Sequence, residues 1–210
     1  MSEPAPQERR QSGPAPAGSG RREDDAETAA EDRALMERVQ SGEEAALGAL
    51  MERWERPVKA VIGRLVLNAH EAEELAQEAF VRLWQQRERY RPGATFRPWL
   101  LAIAVNLARN RLRWWRVRPT VELHEWSAAG GEAGGGRREE GELERAERAA
   151  AVRDAVAALP ADLREAIVLF EYEELSQAEI AAIVGATPKA VETRIARARE
   201  KLRTALKRWV

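Results

Sequence analysis

Apolar residues recur at intervals of three and four along much of the chain, which is the pattern of amphipathic helices. A first short helix is predicted from Asp32 to Gln40. A longer one is predicted from Glu43 to about Leu67, and Pro57 is expected to kink or split it. Its apolar positions are Leu47, Leu50, Met51, Trp54, Val58, Val61, Ile62 and Leu65. No stretch shows a convincing alternation of apolar and polar residues, so the pattern predicts an all-α fold.

The next segment, EAEELAQEAFVRLWQQ (71–86), has one apolar stripe and one acidic and amide face. The stripe consists of Leu75, Ala76, Ala79, Phe80, Leu83 and Trp84, and the opposite face of Glu73, Glu74, Gln77, Glu78 and Gln85. The pattern is that of an ordinary surface helix. It is equally compatible with a helix that docks on a protein partner.

A basic helix is predicted in FRPWLLAIAVNLARNRLRWWR (96–116), after a turn at 91–93 and with Pro98 in its first turn. Leu100, Ile103, Ala104, Leu107 and Ala108 are expected to face inward, whereas Asn106, Arg109, Asn110 and Arg113 share an outer stripe. Asparagine and arginine suit bidentate contacts with bases or phosphate. The aromatic residues around this helix are Phe96, Trp99, Trp114 and Trp115.

Aromatic rings mixed with arginine are typical of a surface for single-stranded nucleic acid, because bases stack on rings while guanidinium groups hold the backbone. Trp99 is expected to pack in the core. For Phe96, a place in the core and a contact with a base are equally compatible with the sequence.

The C-terminal stretch LSQAEIAAIVGATPKAVETRIARAREKL (175–202) predicts a helix-turn-helix. Ser176 and Glu179 have the spacing of a capping box, and Gly185 suits the left-handed residue that ends a helix. Thr187 then caps the next helix. On that helix Lys189, Thr193, Arg194 and Arg197 are expected outside, near the end that enters a DNA major groove. A helical hairpin used only for protein contacts is the alternative.

Composition divides the chain into four segments. Residues 1–30, rich in Pro, Ala, Gly, Arg and Glu, are predicted to form a disordered tail. Residues 31–118 and 146–210 are predicted to form two small helical domains. Residues 119–145, which are acidic and rich in glycine, are predicted to be a flexible linker.

The formal net charge of −1 conceals strong local differences. Residues 87–118 hold nine arginines and one acidic residue, and residues 187–210 hold eight basic and two acidic residues. Residues 147–186 hold three basic and eight acidic residues. Because phosphate contacts depend on local positive charge, the neutral total does not count against DNA binding.

Several classes of protein are disfavoured by composition. The chain has no cysteine and two distant histidines, so disulfides and a zinc cluster are not expected. It lacks a secretory signal and an apolar run long enough for a membrane, so a soluble, cytoplasmic protein is expected. GGEAGGG follows no strand and precedes no lysine, so it is not a phosphate loop. Neither an enzyme nor a cofactor is expected.

These blocks together resemble the extracytoplasmic-function (ECF) group of bacterial sigma factors, in the sigma-70 superfamily. The resemblance rests on EAEELAQEAFVRLWQ, FRPWLLAIAVNLARNRLR and LSQAEIAAIVGATPKAVETRIARAREKLR, in the family's order, and covers about residues 32–118 and 146–206. It implies a region 2-like bundle and a region 4-like helix-turn-helix. The implied partners are core RNA polymerase, promoter DNA and an anti-sigma factor.

The resemblance also implies roles for particular residues. Glu73, Glu74, Gln77, Glu78 and Val81 would bind the coiled coil of the largest polymerase subunit. Ala94, Thr95, Phe96, Arg97, Asn106, Arg109, Asn110 and Arg113 would capture the melted minus-ten element. Thr187, Lys189, Glu192, Thr193, Arg194 and Arg197 would read the minus-thirty-five element as duplex. The linker would pass through the polymerase towards its active centre and RNA exit path.

Glu192 departs from the family pattern, since many relatives carry a basic residue at this position. Its carboxylate could accept a hydrogen bond from a cytosine amino group, or could point away and pair with neighbouring arginines. The main rival to the sigma factor is a stand-alone helix-turn-helix regulator. That rival does not account for the helix rich in arginine and tryptophan that precedes the linker.

Overall fold

A computed structural model describes residues 19–91, 93–117 and 140–209 of the chain. Within these ranges it contains helices and no strand, which confirms the predicted all-α fold. The helices are α1 (Ser19–Gln40), α2 (Glu44–Val66), α3 (Ala69–Gln85), α4 (Phe96–Val117), α5 (Glu140–Ala157), α6 (Ala161–Glu171), α7 (Gln177–Val184) and α8 (Pro188–Ala205), with a 3-10 turn at Arg87–Arg89. None of the described helices is both long enough and apolar enough to span a membrane.

Helices α1–α4 form the N-terminal half, in which α2 packs against the other three. Helix α2 continues through Pro57, so it is not split there, and the predicted alternative of a kink stays a prediction. Proline removes a single backbone donor. The buried side chains of Trp54, Val58 and Val61, on either side of Pro57, hold both parts of the helix against the same core. Their packing outweighs the lost hydrogen bond.

Helix α1 begins at Ser19, inside the segment that was predicted as a tail to residue 30, and residues 1–18 lie outside the described residues. No apolar periodicity marks this extension, but alanine, glutamate and arginine all favour helix. Further along α1, Asp32 is buried and its carboxylate accepts from Arg53 Nη1 at 2.6 Å and Trp54 Nε1 at 3.0 Å. These bonds fasten α1 to α2.

Helices α5–α8 form the C-terminal half. Helix α5 begins at Glu140, inside the predicted linker, and the rest of that linker, up to residue 139, lies outside the described residues. Pro160 precedes α6, whose apolar residues Leu163, Ile167 and Val168 are buried. The two halves are in contact, because α7 packs on α4 and α6 packs on α2. The buried apolar residues of both halves therefore form one continuous cluster.

Candidate nucleic-acid interfaces

The turn between α7 and α8 is built by the residues that the sequence singled out. Ser176 Oγ accepts from the Glu179 backbone N–H at 3.2 Å, and the Glu179 carboxylate accepts from the Ser176 N–H at 2.9 Å. Gly185 ends α7 with φ of +65°, a conformation that glycine adopts without steric cost. Thr187 caps α8 by accepting from the Ala190 N–H at 3.2 Å. The predicted helix-turn-helix geometry is confirmed.

Thr187 and the N-terminal part of α8, as far as Arg197, present a polar surface. Thr187, Lys189, Thr193 and Arg197 are exposed, with 80% of the Lys189 side chain accessible. Arg194 is half-buried, and its Nε lies 3.8 Å from the Asp162 carboxylate on α6. Arg194 is therefore less available to DNA than the other three positions of α8.

Glu192 points towards Lys189. Both of its carboxylate oxygens accept from the Lys189 Nζ at 3.0 Å, across one turn of α8. The sequence left the direction of this side chain open. In the structure it forms an exposed pair with a lysine.

The outer stripe of α4 is only partly open. Asn106, Asn110 and Arg113 are exposed as predicted. Arg109 is instead held by the C-terminal half. Its Nε and Nη2 donate to the two carboxylate oxygens of Glu165 at 2.6 Å each, and its Nη1 donates to the Val184 carbonyl at 3.1 Å.

Of the four residues before and at the start of α4 that were predicted to contact DNA, one is exposed. Thr95 is exposed, and Ala94 is half-buried with its carbonyl accepting from the Tyr90 hydroxyl at 2.5 Å. Phe96 is only 2% exposed and packs edge-on against Trp54 and Tyr90, with ring centroids 6.1 and 6.3 Å apart. Of the two places that the sequence left open for Phe96, the structure shows the core, and its contact with DNA stays a prediction.

Arg97, also predicted to contact DNA, is half-buried and engaged. Its Nη2 donates to the Glu173 carboxylate at 2.9 Å, and Glu173 itself is buried. Trp99 lies 5.2 Å from Tyr90, centroid to centroid, in the same aromatic cluster as Phe96, as expected for a core residue.

The acidic and amide face of α3 is exposed at its centre and paired at its sides. Gln77 and Glu74 are exposed, and Val81 is an apolar side chain with 54% of its surface accessible. Glu73 pairs with Lys59, and Glu78 pairs with Arg82 at 2.7 Å. An exposed valine among acids and amides is a surface suited to a protein partner of opposite charge.

Two residues that bind the basic helix were not predicted. Glu165 and Glu173 are the partners of Arg109 and Arg97, and both carboxylates are buried. Their chain positions gave no local signal, since each looks like an acidic residue on an ordinary amphipathic segment. The only available signal was the contrast between the basic segment 87–118 and the acidic segment 147–186.

Comparison with known protein families matches each half of the chain to a family model. The family model described as "Sigma-70 region 2" matches residues 50–116, and the one described as "Sigma-70, region 4" matches residues 149–202. The first match contains α3 and α4, which carry the acidic face and the basic stripe. The second contains the whole helix-turn-helix.

Relatives and solved structures agree with this assignment. The RNA polymerase sigma-H factor of Pseudomonas aeruginosa is 34% identical over 186 residues, which cover 85% of this chain and 95% of that protein. The ECF RNA polymerase sigma-E factor of Escherichia coli is 35% identical over 176 residues, covering 81% and 92%.

Among solved structures, CnrH in complex with the cytosolic domain of CnrY matches with a TM-score of 0.62 and 29% identity, over 84% of this chain and 97% of that one. The sigma factor RpoE in complex with the anti-sigma factor NepR, from Bartonella quintana, matches with a TM-score of 0.59 and 26% identity, over 76% and 96%. The chain therefore belongs to the extracytoplasmic-function group of the sigma-70 family and is an RNA polymerase sigma factor.

Proposed function

We propose that this sigma factor reads a two-element promoter with two separate surfaces. The first is Thr187 with the N-terminal part of α8 as far as Arg197, which reads the minus-thirty-five element as duplex through Thr187, Lys189, Thr193 and Arg197. The observation that carries this assignment is their common exposure beside the capped turn. Helices that follow such a turn enter the major groove with their N-terminal residues. Glu192 and Arg194 lie at the edge of this surface.

The second surface is the exposed side of α4 with the loop before it, which holds the melted minus-ten strand. Asn106, Asn110 and Arg113 are free to contact it, and Thr95 extends the surface into the loop. Arg97 and Arg109 complete it when their carboxylate partners release them, and Ala94 shapes the loop backbone. Phe96 supports the surface from the core.

Core polymerase is expected to bind the exposed face of α3. Glu74, Gln77 and Val81 form its accessible centre, and Glu73 and Glu78 flank it. A basic and apolar surface on the polymerase coiled coil would complement them. The segment between the halves would pass through the polymerase. We place the protein in the cytoplasm, where bacterial RNA polymerase works, and assign it no reaction of its own.

An anti-sigma factor is a further proposed partner. Support comes from the two matched structures, one of which is a complex with an anti-sigma factor by name. Affinity purification of the tagged protein from its own cells, before and after stress, tests this. A single stoichiometric partner that is lost on induction is the expected result, and recovery with core polymerase alone under all conditions would contradict it.

Run-off transcription on a genomic promoter library tests the main proposal. Transcripts that share a two-element motif, and that need both core polymerase and this chain, are expected. Arg197→Ala should lower initiation about tenfold through the upstream element. Arg203→Ala is the matched control, because Arg203 is exposed on the same helix but lies in its last turn.

Asn110→Ala separates the two surfaces. It should weaken binding to a single-stranded minus-ten oligonucleotide while leaving binding to the minus-thirty-five duplex unchanged. If the chain alone binds duplex DNA tightly and adds nothing to core polymerase, the stand-alone regulator becomes the better account.

A further inference from the structure

A hydrogen-bond network connects the end of α1 to the loop that precedes α4. Gln40, the last residue of α1, donates from its side-chain Nε2 to the Arg87 carbonyl at 3.0 Å and to the Tyr90 carbonyl at 2.8 Å. The Tyr90 hydroxyl in turn donates to the Ala94 carbonyl at 2.5 Å. Because the bond from Gln40 to Tyr90 spans 50 residues, the network joins two parts of the chain that are far apart in sequence.

The side chain of Gln40 is suited to its position in this network. Both of its partners are backbone carbonyls, which only accept hydrogen bonds, and a primary amide nitrogen carries two N–H groups. Met36 and Val39, on the last turns of α1, are completely buried, so the end of this helix is fixed in the core. Gln40 therefore holds the 3-10 turn at Arg87–Arg89, and Tyr90 after it, against α1.

The ring of Tyr90 lies in the core while its hydroxyl reaches the loop. Tyr90 is 1% exposed, and its ring centroid lies 5.2 Å from that of Trp99 and 6.3 Å from that of Phe96. Burial raises the pKa of the Tyr90 phenol, so the hydroxyl keeps the proton that it donates to the Ala94 carbonyl. Tyr90 therefore serves the core with its ring and the loop with its hydroxyl.

The loop between Tyr90 and Phe96 is also held at Ala94. The Ala94 N–H donates to the Arg91 carbonyl at 3.0 Å and closes a turn in which Gly93 has φ of +85°. A positive φ at the third residue of such a turn favours glycine. The Ala94 carbonyl accepts from the Tyr90 hydroxyl. Both polar backbone groups of Ala94 thus have a partner.

Thr95 is the exposed residue between these fixed neighbours. Ala94 before it is held through its backbone, and Phe96 after it is anchored by a ring that is 2% exposed. The direction of the Thr95 side chain therefore depends on the backbone of the loop. A threonine hydroxyl both donates and accepts hydrogen bonds, so its direction decides which base atoms it can meet. A binding residue is precise only when its neighbours hold it in place.

We propose that Gln40 and Tyr90 are positioning residues for minus-ten recognition, which fix the backbone of residues 93–95 and so determine which bases the loop accepts, without touching DNA themselves. This role rests on the proposed function of the loop as part of the strand-binding surface. Promoter selectivity then depends on α1, which lies before the region 2 match at residues 50–116. The alternative is a network that contributes to stability alone.

Amide hydrogen exchange of the full chain tests the network without DNA. Tyr90→Phe removes the bond to Ala94 and keeps the buried ring. Gln40→Met removes both bonds from α1 and keeps a side chain of similar length. Each variant should speed exchange of the Ala94 amide about threefold to tenfold, as expected when the loss of a hydrogen bond lets the turn open more often.

Two substitutions serve as matched controls. Tyr172→Phe removes the same hydroxyl from a tyrosine that is 40% exposed and lies at the end of α6. Ser41→Ala removes a hydroxyl next to Gln40 that donates to the Arg38 carbonyl of α1 at 2.7 Å. Because neither bond is made to the loop, both controls should exchange the Ala94 amide at the parent's rate.

Run-off transcription with core polymerase tests the consequence for selectivity. The template pool keeps one minus-thirty-five element and randomises the minus-ten element, so the transcripts report the base preference at each position. Tyr90→Phe and Gln40→Met should each lower the preference for the favoured base about threefold to tenfold at the positions that the loop contacts. The double variant should lower it no further than the stronger single variant, because both substitutions act through the same loop. A loss of stability alone would instead lower transcription from all promoters equally.

The outcomes separate the positioning role from the proposed function. If the Ala94 amide exchanges at the parent's rate in both Tyr90→Phe and Gln40→Met, the network does not hold the loop and the positioning role is overturned. Faster exchange with unchanged base preferences also overturns it when Thr95→Ala or Asn110→Ala alters those preferences. If neither of these substitutions alters any minus-ten preference, the proposed strand surface itself fails, and the positioning role fails with it.

Discussion

Replacing Phe96 with alanine distinguishes a core residue from a DNA-contacting one. The ring is 2% exposed and lies 6.1 Å from Trp54, 6.3 Å from Tyr90 and 6.4 Å from Trp99, between centroids. Truncating a buried phenylalanine costs about 3–5 kcal/mol through lost burial and the cavity left behind. The total free energy of unfolding of a small domain is about 5–15 kcal/mol, so this substitution removes a large part of the stability.

Urea unfolding followed by tryptophan fluorescence and circular dichroism measures the loss. Thr95→Ala is the matched control, because the neighbouring Thr95 is exposed and its truncation should change the free energy of unfolding by less than about 0.5 kcal/mol. For binding to single-stranded DNA, the two variants should rank in the opposite order, with the larger loss in Thr95→Ala. Thr95→Ala weakens the contact, whereas Phe96→Ala retains it under conditions in which the variant remains folded.

One result would refute the assignment of Phe96 to the core. If Phe96→Ala unfolds at the parent's urea midpoint but no longer binds the single strand, the ring must leave the cluster to stack on a base. The burial of Phe96 would then describe only the protein without DNA, and its place in the predicted DNA-contacting set would be supported.

Two further predictions concern hydrogen bonds that hold the helices of the DNA-contacting surfaces in place. Ser176→Ala breaks the capping box with Glu179 and should lower the free energy of unfolding by about 1 kcal/mol, measured by urea denaturation. Asp32→Ala leaves the buried Trp54 indole N–H without its acceptor and should cost about 1–3 kcal/mol, whereas Asp32→Asn retains an oxygen and should cost less. Burial raises the pKa of the Asp32 carboxyl by more than the hydrogen bond and the charge of Arg53 lower it. The folded state therefore binds a proton on Asp32 more tightly than the unfolded state does. The contribution of Asp32 to the free energy of unfolding should therefore fall as the pH rises from the ordinary aspartate pKa through the raised pKa of the folded state. The free energy of unfolding of Asp32→Asn, measured over the same pH range, should not show this fall.

Local chemistry explains why the helix-turn-helix could be predicted almost residue by residue. A capping box needs two residues three apart, and a left-handed helix end needs a glycine in the right place. Both conditions are visible in a few consecutive letters, and Ser176, Glu179, Gly185 and Thr187 meet them in the structure. The inward stripe of α4 was predictable for the same reason, since helical periodicity alone decides which side chains share a face.

The residues whose exposure could not be predicted are those that contact distant parts of the chain. Arg109 was predicted to lie on an outer stripe of α4, but Glu165, 56 residues away, covers its guanidinium. Phe96 was ambiguous because its neighbour Trp54 lies on another helix. The beginning of α1 was missed for a different reason, since helix propensity extended it without any apolar pattern.

Glu192 shows how a departure from the family pattern can act through its neighbour. Lys189 and Glu192 are 80% and 50% exposed, and an exposed pair at this spacing contributes only a few tenths of a kcal/mol. A DNA phosphate can therefore take Lys189 from Glu192 at little cost. If α8 enters the major groove as proposed, the Glu192 carboxylate would then face a negatively charged groove, where a cytosine amino group is a donor that it can accept from. Under that proposal, a carboxylate at this position would lower the affinity for most DNA sequences and would lower it least for a sequence with a cytosine there. It would therefore add selectivity where a basic residue would add affinity.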